Sequence, residues 1–194
     1  MKSEEVDLAY LVAIISGDGT VTKYYIRISD KKKENIWYIK KLLDSLGVKS
    51  YSRQESKKKF IIEINSKGFV DYLKRNYNIK QGKKIGITIP KRVRQNNKMR
   101  NAYIQGWFDA EGYPERWRNP KTGKTYIRIR FGCKNRNIVL WLKVELEKLN
   151  IKVSKIWYNS KTYRFQIGKK ESVGAFLNIV GFRYPTKDCI SETA

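Results

Sequence analysis

The chain contains two apolar runs of helical length, each ending in an acidic residue followed by a glycine. The first run spans residues 11–19 and the second spans residues 104–112. Each carries two small residues four positions apart: Ala13 with Gly17, and Gly106 with Ala110. Because four residues make about one helical turn, each pair lies on one helix face, and such faces let helix backbones approach closely. The pattern predicts two helices packed against each other.

Strand-like and helix-like patterns follow the first run. Residues 24–29 alternate polar and apolar, which predicts a half-buried strand with Ile26 and Ile28 facing inward. An apolar stripe at helical spacing predicts a helix over residues 34–46. Further predicted elements are a short strand around residues 20–24, hairpin strands at 48–53 and 59–64, and a helix at about 67–76.

Three connecting segments complete the assignment. Asp7 is expected to be the N-cap of the first apolar helix. Residues 90–97 are expected to form a basic linker. Residues 113–124, which contain two prolines and a glycine, are expected to form a loop with a basic and aromatic tip.

The second half of the chain repeats the order of the first. From Leu43 onward, apolar positions recur 103 residues later, as Leu43 does at Leu146. The acids that end the two runs are only 93 positions apart, so the second copy carries about ten extra residues between its run and the next helix. We predict an α+β fold with pseudo-symmetric αββαββα halves at residues 1–97 and 98–194, joined along the two apolar helices.

The charge of the chain favours a polyanion as its partner. Lys and Arg number 42 against 18 Asp and Glu, and the net charge of +24 is spread along the whole chain. No apolar run approaches the roughly 18 residues typical of a membrane span, so no membrane partner is expected. Histidine is absent, which excludes Ser-His-Asp triads and zinc sites with histidine ligands.

Cysteine usage and the N-terminus indicate an intracellular protein. Cys133 and Cys189 form neither a metal-binding motif nor a disulfide framework, which fits a reducing compartment. The first residues lack a signal-peptide pattern. We expect a cytoplasmic or organellar protein that is not secreted.

The two runs resemble the LAGLIDADG motif of the homing endonucleases. The residues that match its nine letters are Leu11, Ile15, Asp18 and Gly19 in the first run and Gly106, Asp109, Ala110 and Gly112 in the second. Glu111 stands in the place of the last aspartate. Two motifs in one chain are typical of the single-chain members of this family. The resemblance implies two halves packed through the motif helices, whose antiparallel sheets form a saddle over DNA.

The resemblance also implies metal-dependent cleavage of both DNA strands. Asp18 and Glu111 would bind Mg²⁺, or another divalent cation such as Mn²⁺, with the carbonyl groups of Gly17 and Ala110 as further ligands. Neighbouring carboxylates repel each other, and a hard cation with oxygen ligands relieves that repulsion. Metal-assisted attack of water on a phosphodiester needs no histidine.

Further catalytic groups are implied by the same resemblance. Basic residues near the scissile phosphates would be Lys83 (or Lys84) in the first half and Lys187 in the second. Residues that position water would be Asp30 and Cys133. Cys133 departs from the Gln or Asn that relatives usually have at this position.

The strand faces are expected to contact double-stranded DNA. Strands of about nine residues span about 30 Å, or roughly nine base pairs, so two sheets would cover an asymmetric site of about 20 base pairs. Alternate side chains of a sheet in the major groove read base edges. On the first sheet we expect contacts from Tyr25, Arg27, Ser29, Arg53, Glu55, Lys59 and Ile61. In the second half we expect them from Trp117, Arg118, Arg128, Arg130, Lys134, Trp157, Asn159, Lys161 and Arg164.

A site-specific DNA endonuclease, acting as a monomer and encoded within an intron, accounts best for these features. The first alternative is an RNA maturase or a duplicated DNA-binding regulator on the same fold, whose sign would be loss of the motif acids; both acids are present. A basic RNA-binding protein, such as a ribosomal component, accounts for the charge but not for the duplicated helices. An intein is not expected, because the chain neither starts with Cys or Ser nor ends in His-Asn.

Overall fold

The computed structural model describes residues 3–82 and 86–188. The elements of the first half are α1 (Ser3–Asp18), β1 (Gly19–Val21), β2 (Ile26–Asp30), α2 (Lys33–Ser45), β3 (Tyr51–Ser56), β4 (Lys59–Ile64), α3 (Lys67–Tyr77) and α4 (Lys91–Gln95). Those of the second are α5 (Asn97–Glu111), β5 (Gly112–Arg118), β6 (Thr125–Cys133), α6 (Arg136–Lys148), β7 (Trp157–Asn159), β8 (Thr162–Ile167), α7 (Lys170–Ile179) and α8 (Pro185–Asp188). Each half is therefore αββαββα followed by one short helix.

The two halves share one sheet topology, which confirms the predicted pseudo-symmetric α+β fold. Both sheets are antiparallel, with strand orders β1-β2-β4-β3 and β5-β6-β8-β7. Ile26 pairs with Ile64 in the first sheet, and Ile129 pairs with Ile167 at the equivalent place in the second. The sequence repeat is thus a repeat of strand register.

The ten extra residues of the second half lengthen a hairpin. β5 and β6 contain 7 and 9 residues where β1 and β2 contain 3 and 5, and the connecting turn is two residues longer. The predicted loop is therefore wrong over residues 113–118, which lie in β5. Pro114 is tolerated because β5 is an edge strand, where one N–H group is not needed by a neighbour.

Two other local predictions are wrong. Asp7 lies inside α1, which begins at Ser3, and does not cap it. The expected linker at residues 90–97 contains α4, whose N-cap residue is Pro90. The boundary after residue 97 falls in the first turn of α5 and stays a prediction.

The motif helices α1 and α5 form the centre of the molecule. Residues 9–15 of α1 are all buried, as expected for a helix covered on every side. A Cβ atom built on Gly17 would lie 2.5 Å from the Cβ atom of Ala110, and one built on Gly106 would lie 2.8 Å from that of Ala13. The small residues therefore meet across the seam, as predicted. Within the described residues, we find no helix both long and apolar enough for a membrane span.

Candidate active site and nucleic-acid interface

Asp18 and Glu111 are the last residues of the two motif helices. A strand begins at the very next residue, Gly19 or Gly112. A Cβ atom on Gly19 would lie 2.6 Å from the carbonyl oxygen of Ile15, and one on Gly112 would lie 2.8 Å from that of Phe108. Glycine is thus required because the strand starts against the last helical turn, and this abrupt change fixes where each acid lies.

The structure brings the predicted metal ligands to one end of the seam. The Cβ position of Gly17 lies 3.5 Å from Cγ of Glu111 and 2.5 Å from Cβ of Ala110. Asp18 and Glu111, both half-buried, each act electrostatically on the ammonium group of Lys187. The two carboxylates and the last-turn backbone therefore surround one region.

Lys187 binds the end of α5. Its Nζ donates hydrogen bonds to the carbonyl oxygens of Phe108 (3.2 Å), Gly112 (2.6 Å) and Asp109. An ammonium group has three N–H donors, and a cation at a helix C-terminus interacts favourably with the helix dipole. Burial lowers the pKa of Lys187, while the nearby Asp109, Asp18, Asp30 and Glu111 oppose that shift. Lys83 and Lys84, predicted as its counterparts, lie outside the described residues.

The structure adds a buried carboxyl group, Asp109, that sequence reasoning treated only as a motif match. Its Oδ2 accepts hydrogen bonds from the hydroxyl of Tyr10 (2.7 Å) and from the backbone N–H groups of Arg183 (2.9 Å) and Tyr184 (3.2 Å). Its Oδ1 is buried without a hydrogen-bond partner among the described residues. Burial raises the pKa of Asp109 to about 6, although the hydrogen bonds from Tyr10 and Arg183 favour its ionised form.

Arg183 ties the C-terminal segment to both motif helices. Its Nε donates to Oε1 of Gln105 (2.5 Å), and its Nη1 donates to Oδ1 of Asp7 (2.7 Å). Its guanidinium carbon lies 4.6 Å from the centre of the Tyr10 ring. The sequence signal for this network is Asp109, an acid within the second motif run.

The predicted water-positioning residues are engaged in local hydrogen bonds. Asp30 accepts from the backbone N–H of Lys32 (2.7 Å) and from Nδ2 of Asn35 (3.0 Å). Asn35 in turn accepts from the hydroxyl of Thr186 (2.9 Å), so the C-terminal segment also reaches the first half. The Sγ atom of Cys133 accepts from the backbone N–H of Asn135 (3.4 Å).

A cleft of about 740 Å³ opens beside Glu111. Gly17, Glu111, Cys133 and the exposed Lys134 contribute to its lining. Across residues 3–82 and 86–188, no three Asp, Glu or Cys side chains are placed to hold a metal ion by themselves. Two carboxylates with last-turn carbonyls nevertheless suit a hard divalent cation, because Mg²⁺ usually takes one or two protein carboxylates and completes its shell with water and phosphate oxygens.

The first sheet carries a network of charges on the face away from the helices. Ile26, Ile28, Ile62 and Ile64 face the core, which leaves Arg27, Ser29 and Glu63 on the outer face. Glu63 pairs with Arg27 and more distantly with Arg53, and Glu55 pairs with Lys59 (2.6 Å). Tyr25 lies 5.7 Å from the guanidinium carbon of Arg27. Ile61 lies opposite Ser29 on the same outer face, but its side chain is fully buried.

The second sheet carries a similar network. Glu115 pairs with Arg128 and Arg130, and the guanidinium carbon of Arg128 lies 5.2 Å from the Trp117 ring. Trp157 lies opposite Arg164 on neighbouring strands. Two of the predicted DNA contacts lie elsewhere. Lys161 is in the turn between β7 and β8. Strand alternation places Arg118 on the face opposite Trp117, and Nε of Arg118 donates a hydrogen bond to the carbonyl oxygen of Gly123.

Sequence comparisons identify one family and two relatives. The sequence model of a LAGLIDADG-like domain matches residues 5–76 and 98–181. An uncharacterized protein of Methanocaldococcus jannaschii is 28% identical over 170 residues, which cover 83% of this chain and 60% of that protein. A glutamine–fructose-6-phosphate aminotransferase of the same organism is 26% identical over 93% of this chain but only 17% of the enzyme. The chain therefore spans less than two thirds of either relative.

Solved structures share the fold at low sequence identity. The homing endonuclease I-DmoI in complex with DNA and Mn has a TM-score of 0.64 and 21% identity, covering 92% of this chain and 98% of that one. I-DmoI with DNA and Ca has a TM-score of 0.68 and 18% identity over 100% of both chains. Full-length DUF199/WhiA from Thermatoga maritima has a TM-score of 0.68 and 15% identity, covering 99% of this chain and 60% of that one.

Proposed function

The chain belongs to the family of LAGLIDADG-like domains, and we propose that it is a site-specific, metal-dependent endonuclease that cuts both strands of DNA. The observation that carries this proposal is the pair of acids, Asp18 and Glu111, at the joined ends of two tightly packed helices. The net charge of +24 and the fold shared with DNA-bound I-DmoI support DNA as the substrate.

The acids would hold Mg²⁺, or Mn²⁺ in its place, together with the carbonyl groups of Gly17 and Ala110. When bound, such a cation lowers the pKa of water and stabilises negative charge on a phosphodiester. The helix C-termini add partial negative charge that favours a cation. Lys187 holds the last turn of α5 and so keeps Glu111 in place. With Lys83 (or Lys84), it supplies the basic residues expected near the cut.

The two sheets would hold an asymmetric duplex of about 20 base pairs. Both acids are in one chain, so a monomer with halves 1–97 and 98–194 is sufficient. We further propose an intracellular enzyme encoded within an intron. The aminotransferase activity of the second relative is not proposed, because this chain matches only 17% of that enzyme.

The test is selection and cleavage of randomised duplexes with and without Mg²⁺. The wild-type chain should cut a specific duplex only with the cation. Asp18→Asn and Glu111→Gln should abolish double-strand cleavage and retain binding. Asp44→Asn, an exposed change on α2, is the matched control and should cut normally. Normal cutting by either motif variant would refute the metal assignment. Binding of DNA by the wild-type chain without cleavage in Mg²⁺ or Mn²⁺ would refute the proposed endonuclease activity.

A further inference from the structure

Arg27 and Arg130 occupy equivalent positions in the two sheets but have different neighbours. Arg27 lies opposite Glu63 on β4, whereas Arg130, 103 residues later, lies opposite Gln166 on β8. The acid of the first sheet is therefore replaced by an uncharged amide in the second.

In the first sheet the acid holds the arginine from the β4 side. Oε1 of Glu63 accepts from Nε of Arg27 at 2.7 Å and lies 2.5 Å from its Nη2. Glu55 adds a more distant ion pair at 3.6 Å from Nη1. N–H groups on Nη1 and Nη2 remain directed away from Glu63, because one carboxylate oxygen engages only part of the guanidinium fork.

In the second sheet the acid comes from the opposite neighbour. Glu115 on β5 forms a hydrogen-bonded ion pair with Arg128. The same Oε2 lies 3.0 Å from Nε of Arg130, an ion pair without good hydrogen-bond geometry. Arg130 is therefore drawn toward β5, the strand on the other side from the one that holds Arg27.

A carboxylate beside an arginine changes what that arginine binds. The carboxylate offsets the positive charge of the guanidinium group and repels phosphate, so it weakens contacts between the arginine and the DNA phosphates. It weakens hydrogen bonds from the guanidinium N–H groups to O6 and N7 of guanine much less, because these acceptors carry no net charge. An acid that fixes the fork thus favours base recognition over phosphate binding.

We propose that Glu63 and Glu115 are specificity-determining positioning residues. Glu63 directs Arg27 toward β4, whereas Glu115 directs Arg130 toward β5, the strand on the other side. These equivalent arginines therefore read guanines at non-equivalent positions of the two half-sites. This inference rests on the proposed function, since it requires a DNA site. Half-exposed ion pairs contribute little to stability, so variants of these acids should stay folded.

The test is binding selection of randomised duplexes by the full chain without divalent ions, followed by melting temperatures of each variant. Glu63→Gln should lower the guanine preference about tenfold at one position in one half-site, and Glu115→Gln should do so in the other. The double variant Glu115→Gln with Gln166→Glu should shift the second guanine to the position that mirrors the first. Glu147→Gln, which changes an acid paired with Lys143 on α6, is the matched control and should keep the wild-type preference.

The outcomes separate this inference from the proposed function. A wild-type site whose base preferences are unchanged in Glu63→Gln and Glu115→Gln would overturn the inference alone. A uniform gain in affinity for all duplexes would also overturn it, because the acids would then only repel phosphate. Failure of the wild-type chain to select any duplex would overturn both.

Discussion

A Cβ atom at Gly106 would lie 2.4 Å from the carbonyl oxygen of Tyr10, closer than side-chain carbons approach backbone oxygens. Helices α1 and α5 therefore touch backbone to backbone at this point. Any side chain at position 106 must move the helices apart. Asp18 and Glu111 end those same helices, so the contact also sets the geometry of the candidate metal site.

We expect Gly106→Val to reduce cleavage far more than folding or DNA binding. Overpacking of a tight site destabilises by about 1–3 kcal/mol. An error of about 1 Å between catalytic groups can reduce the rate about a hundredfold. Thermal unfolding, duplex binding and Mg²⁺-dependent cleavage of the variant measure the three effects. Wild-type cleavage by a folded variant would contradict the seam argument.

Gly174→Ala is the control for that substitution. Gly174 lies within α7, and an added Cβ there would meet nothing within 4 Å. Alanine is favoured over glycine in a helix interior by about 1 kcal/mol. The variant should therefore be slightly more stable and cut normally.

The affinity for DNA should fall steeply with salt. A net charge of +24 favours many phosphate contacts, and each adds about −0.9 to the slope of log K against log salt. Titrations of a fixed duplex between about 50 and 200 mM salt measure the slope. A value shallower than about −3 would be inconsistent with an extended interface on both sheets.

The sequence predicted the fold because its periodicities are local and repeated. The alternation of Ile26, Arg27 and Ile28 assigns a core face and an outer face, and a shift of one residue would reverse both. The 103-residue repeat extended this assignment to the second sheet. The acids that end α1 and α5 were identifiable because each stands between an apolar run and a glycine.

The remaining contacts depend on tertiary placement, which no local pattern encodes. Arg183 binds Asp7, a residue 176 positions earlier, only because α1, α5 and the C-terminal segment converge. The local sequence accordingly predicts a helix cap at Asp7. The local sequence likewise predicts a loop at Pro114, because the place of this residue on an edge strand follows from sheet order rather than from its neighbours in the chain.

Asp109 should make stability fall as the pH rises from 4 to 7. Burial raises its pKa from 3.8 to about 6, so between these values the folded state binds more protons than the unfolded state. A pKa difference of this size between the folded and unfolded states corresponds to on the order of 3 kcal/mol of stability lost across this pH range. Asp109→Asn keeps an acceptor for Tyr10 but does not titrate. Denaturant unfolding without divalent ions should show wild type losing stability relative to this variant over that range.

The free energy of unfolding of wild type minus that of Asp109→Asn should fall as the pH rises. A value that stayed constant or increased with pH would refute this assignment. Asp44→Asn provides the control for loss of one carboxylate, because Asp44 lies exposed on α2 beside Lys40. The difference in unfolding free energy between Asp44→Asn and wild type should change much less over the same pH range.

Lys187→Met should separate helix capping from phosphate binding. The change removes the ammonium group from the carbonyl oxygens of Phe108, Asp109 and Gly112, and unpaired buried acceptors destabilise by about 1–3 kcal/mol. If the lysine acts by holding the end of α5, melting temperature and cleavage should fall while the salt slope of DNA binding stays unchanged. Loss of a phosphate contact would instead make that slope shallower by about 1 with little effect on stability.

Lys134→Met, at an exposed position in the cleft beside Glu111, is the matched control and should not lower the melting temperature. An unchanged melting temperature for Lys187→Met, together with a shallower slope, would show that Lys187 binds DNA directly.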